Sequence, residues 1–208
     1  MRSKLKSADR QAELVAAALH LAATQSPSEI TTGDLAKVIG ITQGGVFKHF
    51  ESKEAIWLAV VEWAHQDLML RLKQVANVAN QTALQSLRAV FMAHISFIEQ
   101  YPGVPRLIFQ ELQHPKTTPL KDEVQLLMTD YRQLLMVLLA QAHEEGVIAP
   151  EVDMQAAGVL FIGAIQGLVM QSLMTGSLEK INQQGKTVFS IYEAGLLVSA
   201  KSEVRKLK

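Results

Sequence analysis

The chain contains no cysteine, which excludes disulfide cross-links, thiolate metal centres and a thiol nucleophile. The same absence fits a reducing compartment, and a cytoplasmic protein is expected. Only six prolines are spread over 208 residues, and β-branched runs with a period of two are scarce, so an all-α protein is expected. No sign of charge dominates, with Lys+Arg and Asp+Glu each numbering 20. The basic amino-terminal residues are not followed by an apolar stretch, so no signal peptide is expected. Hydrophobic residues make up 49% of the chain, which suffices for a sizeable core in one large or two small domains and argues against disorder.

Zero net charge at first argues against a polyanionic partner, but the distribution matters more than the sum. Residues 1–53 hold seven Lys/Arg against five Asp/Glu, residues 201–208 hold four against one, and residues 54–200 hold nine against fourteen. Arg2, Lys4, Lys6 and Arg10 thus gather at the start of the chain, and phosphate contact needs only such a local basic face. The carboxy-terminal lysines read equally well as a solubilising tail.

What is present is concentrated in the stretch from Thr31 to Lys53, TTGDLAKVIGITQGGVFKHFESK. Leu35, Ile39, Ile41 and Val46 fall where two short crossed helices must bury apolar side chains, and Ala36 falls where they cross closely. Gly40 stands where the first of them must stop in a left-handed conformation. Thr31 is a good N-cap, with Asp34 completing a capping-box pattern. Thr42 caps a following helix expected to run to about His49, and Ser52 caps the next. An amphipathic helix over Asp9–Gln25 precedes them, with Ala12, Val15, Ala16 and Leu19 on one side. A helix, a tight Gly turn and a second short helix place a helix in the DNA major groove.

Beyond this head the pattern predicts a long helix from Lys53 into the seventies, then helices over 82–101, 105–113, 119–145, 153–175 and 184–200, with Gly146 and Gly176 closing two of them. The expected division is a helix-turn-helix domain over 1–52 and a helical body over 53–208. Met154–Leu178 carries no charge and is long enough to span a bilayer. Gln155, Gln166 and Gln171 would need partners in lipid, and the flanking charges show no positive-inside bias. No membrane association is therefore expected. A helix apolar all round in a soluble protein must be covered on every side, so a second copy of the chain is expected against it, with Ala156, Gly163 and Gly167 allowing close approach.

Residues 9–71 resemble the TetR family of transcriptional regulators. The match is carried by Ile30-Thr31-Thr32, by Ala36 and Gly40, by Phe47-Lys48-His49-Phe50 and by Ser52-Lys53-Glu54. This resemblance implies an all-α homodimer, each subunit with a three-helix head bearing the helix-turn-helix and a larger ligand-binding and dimerisation body. It implies two recognition helices in successive major grooves of a near-palindromic duplex operator, and release when a small-molecule effector binds the body. By position, it places Thr31, Thr32 and Lys53 on phosphate, Thr42, Gln43, Gly44 and Gly45 facing the bases, and Phe47, Lys48 and His49 along the groove wall. Gln43 is the candidate base reader, since its amide can pair bidentately with adenine. Phe47 stands where Tyr is frequent in the family, Gly45 where Thr, Ser or Ala is, and Gly33 replaces residues that reach DNA in some members. Gly44 and Gly45 each cost a helix about 1 kcal/mol against Ala. They read as a close backbone approach to DNA, or alternatively as the mark of a weakly specific reader.

Six histidines occur, His20, His49, His65, His94, His114 and His143, without the spacing of a zinc face. No nucleophile elbow, phosphate-cradling loop or paired-carboxylate motif is present, so neither an enzyme nor a metal or cofactor site is expected. For an effector pocket the candidates are Phe91, Ile95, Ile98, Phe109, Gln110, Met128, Tyr131, Gln166 and Met170; most such residues are core in any helical domain. Arg106 and Glu111 are expected in surface pairs. The function expected is a ligand-responsive DNA-binding regulator, a repressor released by a small apolar or amphipathic effector. The alternative is a helical small-molecule sensor with only weak or nonspecific DNA binding.

Overall fold

Capping groups and left-handed turns punctuate the chain into helices. The computed structural model describes residues 7–176, 178 and 180–197; the basic positions Arg2, Lys4 and Lys6 and residues 201–208 lie outside them. The described helices are α1 (Ser7–Ala22), α2 (Thr32–Ile39), α3 (Gln43–Val46), α4 (Lys53–Ala76), α5 (Ala83–Gln100), α6 (Gly103–Leu112), α7 (Pro119–Glu144), α8 (Met154–Thr175) and α9 (Ile181–Leu196). Among the described residues there is no β-strand, only an isolated bridge between Ile148 and Leu197. The all-α class is as expected.

Most helix ends follow local chemistry. Ser52 Oγ accepts from the Ala55 N–H at 3.1 Å and opens α4. Thr82 and Gln85 exchange two bonds at the start of α5, the Gln85 N–H donating to Thr82 Oγ1 at 3.2 Å and the Thr82 N–H to Gln85 Oε1 at 2.9 Å. Asp153 accepts from the backbone of Gln155 and Ala156 at the start of α8. These groups answer donors that a helix cannot pair within itself.

Two compact units divide these helices. The first takes the described residues up to Asp67 together with Gln100–Leu127. In it α1 packs on α2 and on α6, and α2 on α3, around Leu14, Ala18, Ile30, Leu35, Val46, Ile56 and Val61, all buried. Gly103 opens α6 against α1: a Cβ there would lie 2.5 Å from Ala22 Cβ and 2.8 Å from its carbonyl carbon. Helix α6 thus starts two residues earlier than expected. Arg106 and Glu111 correct the expectation of surface pairs. Arg106 Nη1 donates to the Ala23 carbonyl at 3.0 Å, satisfying the exposed end of α1, and the buried Glu111 accepts from the Thr118 hydroxyl.

The second unit holds Leu68–Glu99 and the described residues from Met128 onward. Its centre is aromatic. Phe91 meets Phe161 edge-on at 5.2 Å between centroids and Phe189 at 5.3 Å, and Tyr192 lies 5.5 Å from Phe161. The Tyr192 hydroxyl donates to the Ala157 carbonyl at 3.1 Å, so its polar end is satisfied inside. Helix α8 packs on α9 and buries Ala157, Phe161, Ile162, Ile165, Leu168 and Val169. It is the one helix among the described residues long and apolar enough to cross a membrane, with a mean hydropathy of 1.7. Its burial is one-sided: Val159 is 71% and Met174 74% exposed.

The Gly103 contact sets a test. Gly103→Ala is expected to destabilise the chain by about 1–3 kcal/mol, because the added methyl overpacks against backbone that cannot yield. An unchanged urea midpoint would show that α6 does not depend on that approach.

Candidate nucleic-acid interface

The geometry of residues 31–53 begins at the α2 N-cap. The Asp34 N–H donates to Thr31 Oγ1 at 3.1 Å, while the Thr31 hydroxyl and N–H donate to Asp34 Oδ2 at 2.6 and 3.0 Å. These bonds form the capping box read from the sequence. The hydroxyl bond from Thr31, followed by its backbone N–H and the nearby charges of Lys37 and Lys53, holds the Asp34 carboxyl below its usual range. At the other end Gly40 adopts φ 69° and ψ 43°. The Ile41 N–H then reaches the Ala36 carbonyl at 2.9 Å and the Gly40 N–H the Lys37 carbonyl at 3.2 Å. Both bonds of a Schellman stop are thus made, and the chain turns directly into Thr42.

Thr42 caps α3 as expected, its Oγ1 accepting from the Gly45 N–H at 3.1 Å. The helix itself is shorter than expected. It covers only Gln43–Val46, and residues 47–50 close with turn bonds, His49 N–H to Val46 carbonyl at 2.9 Å and Phe50 N–H to the same carbonyl at 3.1 Å. Two glycines in four residues supply little to extend a helix ladder. A Cβ on Gly44 would meet nothing within 4 Å. The fold therefore does not require a glycine at 44, and the freed space lies on the outer side.

The expected contact residues divide into three groups. Thr42, Gln43, Gly44, Phe47 and Lys48 are exposed, with Gly45 and His49 half-buried. Thr31 and Lys53 are already engaged: the Thr31 hydroxyl serves Asp34, and Lys53 Nζ donates to the Ser28 carbonyl at 2.8 Å, pinning the loop before α2. Thr32 is buried, only 7% exposed, and its Oγ1 accepts from Gln43 Nε2 at 2.9 Å. Two further residues join the set from α1. Gln11 Nε2 donates to the His49 carbonyl at 2.9 Å and Ser7 Oγ lies 3.2 Å from His49 Nδ1, tying down the far end of the segment. Their separations of 38 and 42 positions leave no mark in a local pattern.

The expected pocket residues are less coherent. Phe109 and Gln110 fall in the first unit; Phe91, Ile95, Ile98, Met128 and Tyr131 fall in the second. Of these, Phe91, Ile95, Ile98 and Tyr131 are buried core. Tyr131 meets His94, Nδ1 to hydroxyl at 3.0 Å. Burial pushes His94 down to about 4, keeping it neutral near pH 7, and raises Tyr131 well above its ordinary value. Gln166 and Met170 are exposed on α8 rather than turned inward. They share that outer side with Ala156, Gly163 and Gly167, and a Cβ on either glycine would meet nothing within 4 Å. A groove of about 360 Å³ runs there between α8 and α9, lined by Ala156, Leu160, Ala164, Val188, Ile191 and Gly195. Among the described residues no group of three or more His, Asp or Glu gathers to hold a metal ion.

Known proteins resemble this chain in sequence and in fold. Residues 14–60 match the model for bacterial regulatory proteins of the tetR family, and residues 83–187 match that for the tetracyclin repressor-like C-terminal domain. The nucleoid occlusion factor SlmA of Vibrio atlanticus (strain LGP32) is 29% identical over 163 residues, covering 78% of this chain and 82% of its own. SlmA of Vibrio campbellii (strain ATCC BAA-1116) is 27% identical over 168 residues, 80% and 85% of the two chains. The ketosteroid transcriptional regulator KstR2 of Mycobacterium tuberculosis superposes with a TM-score of 0.76 at 22% identity, over 91% of this chain and 96% of its own. The regulator FadR of Bacillus subtilis, solved with stearoyl-CoA, does so at 0.76 and 18%, over 89% and 98%.

The α2 cap yields a measurable consequence. Thr31→Ala is expected to cost about 1 kcal/mol at neutral pH. Because the folded pKa of Asp34 is lowered, the bonds to its carboxylate contribute above the ordinary value of 3.8 and are lost as pH falls through the folded value. The gap between wild type and Thr31→Ala in urea unfolding should therefore narrow below that pH. A gap independent of pH would show that Asp34 contributes nothing through its charge.

Proposed function

Because the chain belongs to the TetR family of bacterial regulatory proteins, we propose that it is a ligand-responsive transcriptional repressor. It binds a near-palindromic duplex operator as a homodimer and leaves it when a small apolar or amphipathic effector binds. Residues 1–52 serve as the DNA-binding domain and residues 53–208 as the ligand-binding and dimerisation domain. It is a cytoplasmic regulator and not an enzyme.

The observation that carries this reading is the outward side of α3. Gln43, Gly44, Phe47 and Lys48 are exposed on a turn whose interior is completed by buried Val46, and the vacant space over Gly44 lets a duplex approach the backbone. Gln43 reads a base edge, Lys48 meets phosphate, and Phe47, 49% exposed, contacts sugar or a thymine methyl. The N–H groups at the start of α2 supply phosphate contacts of their own, because the Thr31 hydroxyl is occupied by Asp34. Lys53 meets phosphate by exchanging its bond to Ser28 for one to DNA.

The dimer forms through the outer side of α8 and α9. Val159, Leu160 and Ile191 are 71%, 59% and 71% exposed, a contiguous apolar surface of the kind that marks an interface. Ala156, Gly163 and Gly167 let the partner helix come close. Two-fold pairing of this surface brings two copies of α3 to one duplex, which is why the operator is near-palindromic. The effector acts by linkage: a ligand that favours the conformation with poor DNA affinity weakens operator binding by the same factor that DNA weakens the ligand.

Fluorescence anisotropy with duplexes from the DNA flanking its own gene tests the proposal. Tight binding is expected, weakening as salt rises. Lys48→Ala should reduce the slope of log affinity against log salt by about one, and Leu160→Asp should yield monomers with much weaker binding. An unchanged slope would remove Lys48 from the interface. Affinity that ignores duplex sequence would favour the sensor with nonspecific DNA binding.

A further inference from the structure

Thr32 differs from the other residues expected on phosphate, because its side chain is turned inward. It opens α2, and its hydroxyl oxygen accepts a hydrogen bond from Gln43 Nε2 at 2.9 Å. Gln43 opens α3, so this bond runs between the first residues of the two helices. A glutamine side chain left alone in water samples many rotamers, and fixing it on DNA costs free energy. The bond to Thr32 makes that restriction before DNA arrives.

The chemistry of the carboxamide matters here. It has two N–H donors and one acceptor oxygen. Adenine offers an acceptor at N7 and a donor at N6, so bidentate pairing uses one N–H and the oxygen. Thr32 occupies a single N–H and leaves the other donor and Oε1 on a residue that is exposed. We propose that Thr32 is a positioning residue that presets the Gln43 carboxamide for an A·T pair, so that base specificity at that step belongs to the Thr32–Gln43 pair rather than to Gln43 alone. This inference rests on the proposed base reading by Gln43. The role is distinct from phosphate contact, whose loss would weaken binding to every sequence alike.

The test uses the full-length dimer. A preferred duplex is selected from a randomised duplex library with the wild type, and each base pair is then substituted in turn and measured by anisotropy. Thr32→Val keeps the size of the buried side chain and removes the acceptor, whereas Thr32→Ser keeps it. Thr32→Val is expected to lose about 2- to 12-fold of discrimination at the base pair read by Gln43, the range for releasing one ordered side chain. Discrimination elsewhere should be unchanged, and Thr32→Ser should behave as wild type. In a Gln43→Ala background Thr32→Val should change nothing further. Unchanged discrimination in Thr32→Val overturns the inference, as does an equal loss at every position or an undiminished effect in the Gln43→Ala background. If Gln43→Ala alone leaves every base preference intact, base reading by Gln43 fails first, a result visible without any change at Thr32.

Discussion

The left-handed stop at Gly40 is the constraint on which the rest of the exposed α3 segment depends. Its two hydrogen bonds, Ile41 N–H to Ala36 and Gly40 N–H to Lys37, end α2 and deliver Thr42 in the extended conformation that caps α3. Any other direction of exit would separate Thr32 from Gln43, whose 2.9 Å bond exists only if the two helix starts lie side by side. It would also carry His49 away from Gln11 and Ser7, which hold the other end. A side chain at 40 would oppose this turn by about 1–2 kcal/mol. That is a small local term with a large geometric consequence. The exposed segment is very short, and α3 alone has no means of holding its own orientation.

Glycines elsewhere separate what the fold needs from what a partner needs. At Gly103 a Cβ would run into Ala22 Cβ and backbone, so this position is kept small by packing within the chain. At Gly44, Gly163 and Gly167 a Cβ would touch nothing. Glycine costs helix stability relative to alanine wherever its freedom is not used. A helix that carries that cost at positions with open space gains nothing from it internally. On the proposed function the gain lies outside, with DNA above α3 and a second copy of the chain along α8.

What could be read from the sequence was local. The capping box at Thr31 and Asp34, the stop at Gly40, the caps at Thr42 and Ser52 and the turn at Gly176 depend on residues within a few positions, and the structure has them all. What depends on distant partners was not legible. Thr32 turns inward because Gln43 supplies its partner from across the turn, so position alone suggested phosphate. Gln166 and Met170 face outward because the phase of α8 is set by Phe161, Ile165 and Val169 packing inward, and a helix apolar all round carries no periodicity that fixes this phase. The length of α3 differs from the expectation for a related reason. Its continuation to His49 was inferred from the cap, whereas the Gly pair leaves only turn bonds after Val46.

The aromatic interior of the second unit constrains any effector that enters it. Phe91, Phe161, Phe189 and Tyr192 contact one another at centroid distances of 5.2 to 6.3 Å, and Arg88 lies 4.9 Å over the buried Phe189 ring while pairing with Glu193. An apolar ligand inserted among these rings must part them, since a packed interior responds by discrete repacking rather than by gradual compression. It would also meet the half-buried His94 bonded to the buried Tyr131, which offers one hydrogen-bonding site in otherwise apolar surroundings. A neutral His94 adds no charge for the ligand to balance. On the proposed function, part of the ligand's affinity would thereby be spent on rearranging α5, α8 and α9, and the outer side of the last two is the proposed dimer contact. Effector binding and the arrangement of that surface would, on the proposed function, be coupled through the packing itself.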